Sequence, residues 1–300
     1  MERKKILVLG SSNTDMTVKC GHLPAPGETV LGGTFLTGAG GKGANQAVAA
    51  ARLGGNVEFI CKVGCDAFGD SAVEGYRKEG IDTSHILRSD LPSGVALILV
   101  DKEAENCIAV APGANADLTV EDIESLSDEI RSADILLVQL EIPVESVLRA
   151  VQIAREAGVY VILNPAPACK VPEEIYPCLS LIVPNQTEIS AMTGIQVKDS
   201  FSAREAVRAL LGKGVANVIL TMGSEGSTVY SKGQFTHISA VKVNAVDTTA
   251  AGDTFCGALA VGLSEKLSLE KSAGFATRAS ALTVQKMGAQ SSIPYRKEII

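Results

Sequence analysis

Six short, almost unbroken apolar runs punctuate the chain at Ile6–Gly10, Val57–Val63, Ile135–Leu140, Val159–Leu163, Leu181–Pro184 and Val218–Thr221. Runs this short and this uniformly apolar are the pattern of strands buried on both faces of a sheet. Between them lie Ala44–Leu53, Asp70–Glu79, Val120–Arg131, Val144–Ala157 and Ala203–Leu211, where apolar residues recur three to four apart, the helical period. The alternation predicts an α/β fold of three layers, with a mainly parallel sheet between two layers of helices. Two stretches break the rhythm. Asp15–Leu36 and Ser93–Ala111 hold strand-like pieces (Met16–Lys19, Glu28–Gly33, Val95–Val100 and Cys107–Val110) and turns, without a helical signal. They predict a small β-sheet lid projecting from the body. No internal repeat or low-complexity linker interrupts the chain, so residues 1–300 read as one domain whose lid comes from about 15–36 and 93–111.

Composition narrows the classes. At 46% hydrophobic residues the chain has enough apolar side chains for a core without disulfide or metal staples. Acidic residues outnumber basic ones by 34 to 27, and no basic run exceeds Arg3-Lys4-Lys5, which argues against a nucleic-acid partner. The first apolar run is too short for a signal segment or a membrane span, so no membrane partner is expected. Seven cysteines with no CxxC pair read as unpaired thiols, and a cytoplasmic location fits best. His22, His85 and His237 are scattered and form no HExxH pair, which removes catalytic zinc and a histidine triad.

The segment from Asp247 to Phe255 carries the strongest chemical signal. Two hydroxyls and a small-residue turn (Ala250, Ala251, Gly252) lead through Asp253 into an apolar helical run. The unpaired amides and dipole of a helix start favour an anion, and a carboxylate beside an anion site suits phosphoryl transfer to an alcohol. A helix-stabilising Asp is the alternative. A second signal, Gly38–Gly55, contains Gly38-x-Gly40-x-x-Gly43, which has the spacing of a dinucleotide fingerprint with Glu58 twenty residues on, yet it does not turn out of the first strand and Glu58 begins its own strand instead of ending it. A phosphate-binding P-loop fails too, because Leu36 and Gly43 stand where Gly and Ser/Thr are required. What remains is a glycine turn, Lys42 and a helix start with Asn45, able to hold hydroxyls or an anion. Asn13 and Asp15 follow the first run in what reads as a turn, Glu141, Asn164 and Asn185–Glu188 close others, and ligands of open α/β sheets bind at that edge. Any one of them could be a solvated turn, but together they are hard to assign to chance. Thr221–Gly226 reads equally as a phosphate cradle or as a plain turn between Val218–Thr221 and Ser227–Tyr230.

On the segments Gly40–Asn45, Asn185–Glu188 and Asp247–Asp253, in that order and spacing, the chain resembles the ribokinase-like family of carbohydrate kinases over nearly its whole length. Gly10–Asp15, Pro26–Val30, Gln139–Glu141, Asn164–Ala168 and Gly288–Ser292 add to the likeness. The resemblance implies ATP-dependent phosphorylation of D-ribose to ribose 5-phosphate by direct in-line transfer. It implies Asp253 as catalytic base, with Ala250, Ala251 and Gly252 as the anion hole. Asn13, Asp15, Gly41, Lys42, Gly43, Ala44, Asn45 and Glu141 match sugar-holding positions, Asn13 near the 2-hydroxyl. Asn185, Thr221, Met222, Gly223, Ser224, Glu225, Gly226, Gly252 and Thr277 match nucleotide contacts, and Glu188 a position that orders Mg²⁺ through water. Asp247, Thr249, Thr283, Lys286, Gly288 and Ser292 match a site for an activating K⁺. The lid implies a homodimer. Where the family pattern has Gly, this chain has Ala250, which would be strained by about 1 kcal/mol if the turn needs positive φ. The alternatives are a kinase for 2-deoxyribose, fructose or an adenosine-type nucleoside. More distant are an NAD-dependent oxidoreductase built on Gly38–Gly43 and a non-catalytic sugar-binding module. A nucleoside base would need an aromatic slot, and aromatics make up only 4% of the chain, none of them in the polar strand-end motifs.

Overall fold

A computed structural model describes residues 4–103 and 105–299. The chain opens with β1 (Lys5–Leu9), β2 (Asn13–Lys19), β3 (Thr34–Gly40) and α1 (Lys42–Arg52). It continues through β4 (Asn56–Ile60), β5 (Lys62–Gly64), α2 (Ala67–Lys78), β6 (Leu87–Ser89), β7 (Gly94–Val100) and β8 (Asn106–Ala111). Next come α3 (Val120–Ser125), α4 (Ser127–Ser132), β9 (Ile135–Val138), α5 (Val144–Glu156), β10 (Tyr160–Leu163) and β11 (Leu181–Ile182). The last part holds α6 (Gln186–Thr193), α7 (Ser200–Gly212), β12 (Val218–Thr221), β13 (Ser227–Ser231), β14 (Gln234–Ile238), α8 (Ala251–Ser264) and α9 (Leu269–Thr283).

Eight strands form the main sheet in the order β14-β13-β12-β11-β10-β9-β1-β4. The six from β12 to β4 run parallel, and β13 and β14 add an antiparallel hairpin at one edge. The period of two explains the uniformly apolar runs: along β1, Ile6 and Val8 enter one core while Leu7 and Leu9 enter the other. The first core packs against α1, α8 and α9 through residues such as Val48, Leu259 and Ala276. The second packs against α3 to α5 and α7 through Ile123, Val151 and Val207. Each fully buried aliphatic side chain contributes about 1.5–3 kcal/mol.

Three expected boundaries move. The run Val57–Val63 divides into β4, in the main sheet, and β5, which pairs with β6. The helix expected over Val120–Arg131 breaks at Leu126, the residue between α3 and α4, and α3 is fixed at its start by the Thr119–Asp122 capping box. Glu28–Gly33 is not a strand; the lid strand is β3, and it runs through Gly38 and Gly40, which read as a turn. Those glycines hid it because a strand without side chains shows no alternation. Likewise Asn13 and Asp15 sit in β2, paired with Gly40 and Gly38. A Cβ on Gly40 would collide with the Asp15 carboxylate, so the glycine makes room for it.

The lid is a four-stranded sheet, β3-β2-β7-β8, with β2 and β7 parallel at its centre. It leaves Phe35 (61%), Leu97 (54%) and Ile108 (54%) widely exposed. Among the described residues no helix is long and apolar enough to cross a membrane.

Candidate active site

The C-terminal ends of the parallel strands, the lid, and the N-termini of α1 and α8 surround an open cleft of about 410 Å³. Asp253 stands at its centre, in the first turn of α8 and only 7% exposed. The residue before that helix, Ala250, has φ 58° and ψ 9°. The turn does need the left-handed conformation, and an alanine holds it at a cost of about 1 kcal/mol relative to glycine. Of the three amides expected in the anion hole, that of Ala251 closes the turn onto the Thr248 carbonyl at 3.2 Å. A β-turn ahead of the helix thus engages one expected donor.

Both oxygens of Asp253 are held. Asn45 Nδ2 donates to Oδ2 at 2.9 Å and Gln46 Nε2 to Oδ1 at 3.0 Å. Gln46 also donates to Asn164 Oδ1 (3.0 Å) and accepts from Gln139 Nε2 (2.7 Å), while Asn164 Nδ2 donates to the Val183 carbonyl (3.0 Å). That backbone carbonyl fixes which way Asn164, and through it Gln46, is turned. No role was assigned to Gln46 or Gln139 from the sequence. Gln139 interrupts an apolar run and Gln46 opens one, which is the signal that marks them, and both amides are fully buried.

On the sugar side of the expected site, Gly41 has φ +89° and Gly43 lies so close to the backbone of Gly10 and Ser11 that a Cβ could not fit. This close approach lets Glu141 Oε2 accept from both Ser11 Oγ (2.5 Å) and the amide of Lys42 (3.0 Å). Ala44 is buried below them, its N–H donating to the Ser11 carbonyl at 2.8 Å. The cleft is crowded with carboxylates. Burial, then Glu141 and Asp253, push Asp15 up to about 6. Burial also raises Asp253, against Lys42 and the two amides that favour its charged form. Lys42 is the counter-charge: burial works to lower it, but Asp253, Glu141 and Glu188 hold it above its ordinary value.

On the expected nucleotide side, Asn185 caps α6 in a reciprocal capping box with Glu188. Burial raises Glu188, whose two oxygens accept from the Asn185 amide (2.8 Å) and Asn185 Nδ2 (2.9 Å). With both oxygens so engaged, Glu188 fits a Mg²⁺ partner acting through water. Thr221–Gly226 forms the β12–β13 connection, closed by Met222 N–H to the Gly226 carbonyl at 2.8 Å. Within it Gly223, Ser224 and Glu225 make a single 3-10 turn. Asn185, Thr221 and Gly252 reach the cleft. Thr277, on α9, gives its hydroxyl to the Ala273 carbonyl.

The expected cation site is partly assembled. Asp247 Oδ1 accepts from Thr249 N (2.9 Å) and Oγ1 (2.6 Å), and Oδ2 from Gly288 N (2.8 Å). Burial pushes this carboxyl up, but those hydrogen bonds outweigh it and the net shift is downward, so Asp247 is a fixed negative charge. Lys286 sends its side chain to Glu298, Thr283 Oγ1 meets Thr254 Oγ1, and Ser292 Oγ bonds the Ala289 carbonyl. Among the described residues no three His, Cys, Asp or Glu side chains cluster as a metal set. One ionised carboxylate beside a loop at Gly288, φ +91°, fits a monovalent cation held mainly by carbonyls.

A family model described as pfkB family carbohydrate kinase matches residues 3–296. The chain is 43% identical over 299 residues to a ribokinase of Haemophilus influenzae, covering 99% of this chain and 98% of that one. It is 38% identical over 291 residues to a deoxyribokinase of Salmonella typhi, covering 96% and 95%. The solved structure of an Arabidopsis thaliana ribokinase complexed with ribose and ATP matches with a TM-score of 0.91 at 33% identity, covering 100% of this chain and 98% of that one.

Proposed function

The chain belongs to the pfkB family of carbohydrate kinases, and we propose that within it this enzyme transfers the γ-phosphoryl group of ATP to the primary hydroxyl of D-ribose, giving ribose 5-phosphate and ADP. The observation that carries this reading is the placement of Asp253, a buried carboxylate held by two side-chain amides at a helix start, in one cleft with the polar strand ends and Thr221 at the start of the β12–β13 connection. Asp253 takes the proton as the hydroxyl attacks, and the turn at Ala250–Gly252 faces the charge that develops on the transferred group. Asn13, Asp15, Lys42, Asn45 and Glu141 hold the sugar; Asn185, Thr221–Gly226 and Thr277 lie along the nucleotide. Glu188 would order Mg²⁺ through water, and the ion would neutralise charge on the ATP phosphates. Asp247 and Thr249 would hold K⁺, which would steady the turn that bears the amides. Residues 1–300 act as one kinase domain, and the lid closes the cleft and pairs with its twin in a homodimer, which would cover the apolar side chains it now exposes.

A deoxyribokinase among the relatives makes the sugar the point to test. ADP release measured with ribose, 2-deoxyribose, fructose and adenosine should rank ribose first. Loss of one buried hydrogen bond, worth about 1–3 kcal/mol, sets 2-deoxyribose roughly five- to a hundredfold lower in kcat/KM. A better rate with 2-deoxyribose or a hexose would overturn the ribose assignment. Light scattering should report a dimer at micromolar concentration, and a monomer would refute the pairing of lids.

A further inference from the structure

Asn115 lies in the 3-10 turn Gly113–Asp117, which returns the chain from lid strand β8 to the body, and it is 1% exposed. Its amide has one allowed orientation. Oδ1 accepts from the backbone N–H of Ser12 at 2.8 Å, while Nδ2 faces the carbonyls of Ser12 (3.1 Å) and Pro112 (3.0 Å) and Asn13 Oδ1 (2.7 Å). Turned over, it would set its NH₂ against an N–H and its oxygen against three acceptors. A carboxamide pinned in this way pins its neighbour: the oxygen of Asn13 is held inward and its NH₂ is left for the cleft that Asn13 lines. Gly94 makes the space. It pairs with Asn13 across β2 and β7, and a Cβ there would collide with both Asn115 Nδ2 and Asn13 Oδ1.

We propose that Asn115 is a positioning residue for substrate selection, fixing Asn13 as a hydrogen-bond donor toward the sugar. Two residues along the same face of β2 stands Asp15, an acceptor when ionised. A donor beside an acceptor is answered by a hydroxyl, which accepts from one and donates to the other, and not by a C–H. Asn13 is thereby narrower than a residue free both to donate and to accept. This inference rests on the sugar site proposed above, where the hydroxyl in question is the one that distinguishes ribose from 2-deoxyribose. Because Asn115 sits at the foot of the lid, selection of the sugar and placement of the lid share one side chain.

Asn115→Asp keeps an oxygen for Ser12 N–H and removes both amide hydrogens, releasing Asn13 to turn. It should lower kcat/KM for ribose about tenfold, mostly through KM, while 2-deoxyribose changes less than twofold and KM for ATP stays put. Gly94→Ala removes no polar group but pushes Asn115 and Asn13 apart, and should move the ribose-to-deoxyribose ratio the same way. A ratio unchanged within twofold in both variants, or parallel losses for the two sugars, overturns the proposal. If the variants do not fold, the wild type decides. The side-chain NH₂ signals of Asn13, identified by their absence in Asn13→Asp, should shift with ribose and not with 2-deoxyribose; no shift with ribose refutes the donor role. A wild type that prefers 2-deoxyribose sinks the ribose reading instead. The pinning then stands only if Asn115→Asp still changes the ratio fivefold or more.

Discussion

The two ends of the parallel strands both gather charge, and they use it in opposite ways. Toward the N-terminal end, the buried carboxylate of Glu58, on the outermost strand β4, meets Nζ of Lys5, the first residue of β1, and His85 Nδ1, each at 2.5 Å. Lys5 also reaches Ser132 Oγ (3.0 Å), and His85 Nε2 lies 3.3 Å from Glu129. This cluster is closed: its groups answer one another. At the C-terminal end Glu141, Glu188 and Asp253 gather around Lys42, Asp15 faces Glu141 and Asp253, and Asn45 Oδ1, though buried, has no partner among the described residues. Burial raises Asp15, Glu188 and Asp253. One edge uses its polarity to hold the sheet together; the other, in the function proposed above, keeps it for hydroxyls, phosphates and cations.

Substitutions at each edge should separate these uses, beginning with the largest effect. Asp253→Asn keeps the shape and removes the proton acceptor, and Asn45 can turn its Oδ1 toward the new NH₂, so single-turnover rates should fall by about 10²–10⁴ while sugar and ATP affinities change little. More than a tenth of wild-type turnover would remove Asp253 as the base.

Gln46→Leu takes away one of the two amides that favour the charged form of Asp253. A base must be deprotonated, so activity is lost as pH falls through its pKa. Deleting a group that holds that pKa down moves the acid limb of the kcat/KM profile to higher pH. We expect about a tenfold loss at neutral pH, recovered in part at pH 9; an acid limb that stays where it is would make Gln46 a packing residue only.

At the cation loop, turnover at equal ionic strength should be several-fold greater in K⁺ than in Na⁺, and Asp247→Ala should erase the difference. Equal rates of the wild type in the two salts would contradict a K⁺ site.

The smallest kinetic effect belongs to the far edge. Glu58→Gln leaves Lys5 and His85 without their shared carboxylate, which should cost about 1–3 kcal/mol of stability, seen as a lower midpoint in urea. Turnover of the folded fraction should stay within twofold, and a larger loss would mean that the two edges are coupled.

How far the residues announced all this follows from where each structural cause lies. Buried strands such as Ile135–Val138 advertise themselves because both faces must be apolar, and α5 does so through its period. Strand β3 does not, since Gly40 stands there for the space it leaves around Asp15 and Gly38 faces open space. Within the site, Asp253, Asn185 and Asp247 stand in local motifs whose chemistry is written within a few residues. Gln46 and Asn115 do not: one acts on a carboxylate 207 residues away, the other on a side chain 102 residues away. Only the closed fold states those partners.

The bond from Asn45 to Asp253 spans 208 residues, and it has a consequence for how the chain becomes active. The proposed sugar contacts, from Asn13 to Glu141, all precede the proposed nucleotide and cation residues from Asn185 to Ser292; the α1–α8 contact, together with Lys42 beside Asp253, brings the two groups together. Contacts of such sequence separation form late, because the entropy of closing the intervening loop must be met first. During synthesis the sugar-facing portion leaves the ribosome well ahead of the base. In refolding, helical signal should therefore return before phosphoryl transfer does, with the enzyme switched on by its final long-range closure.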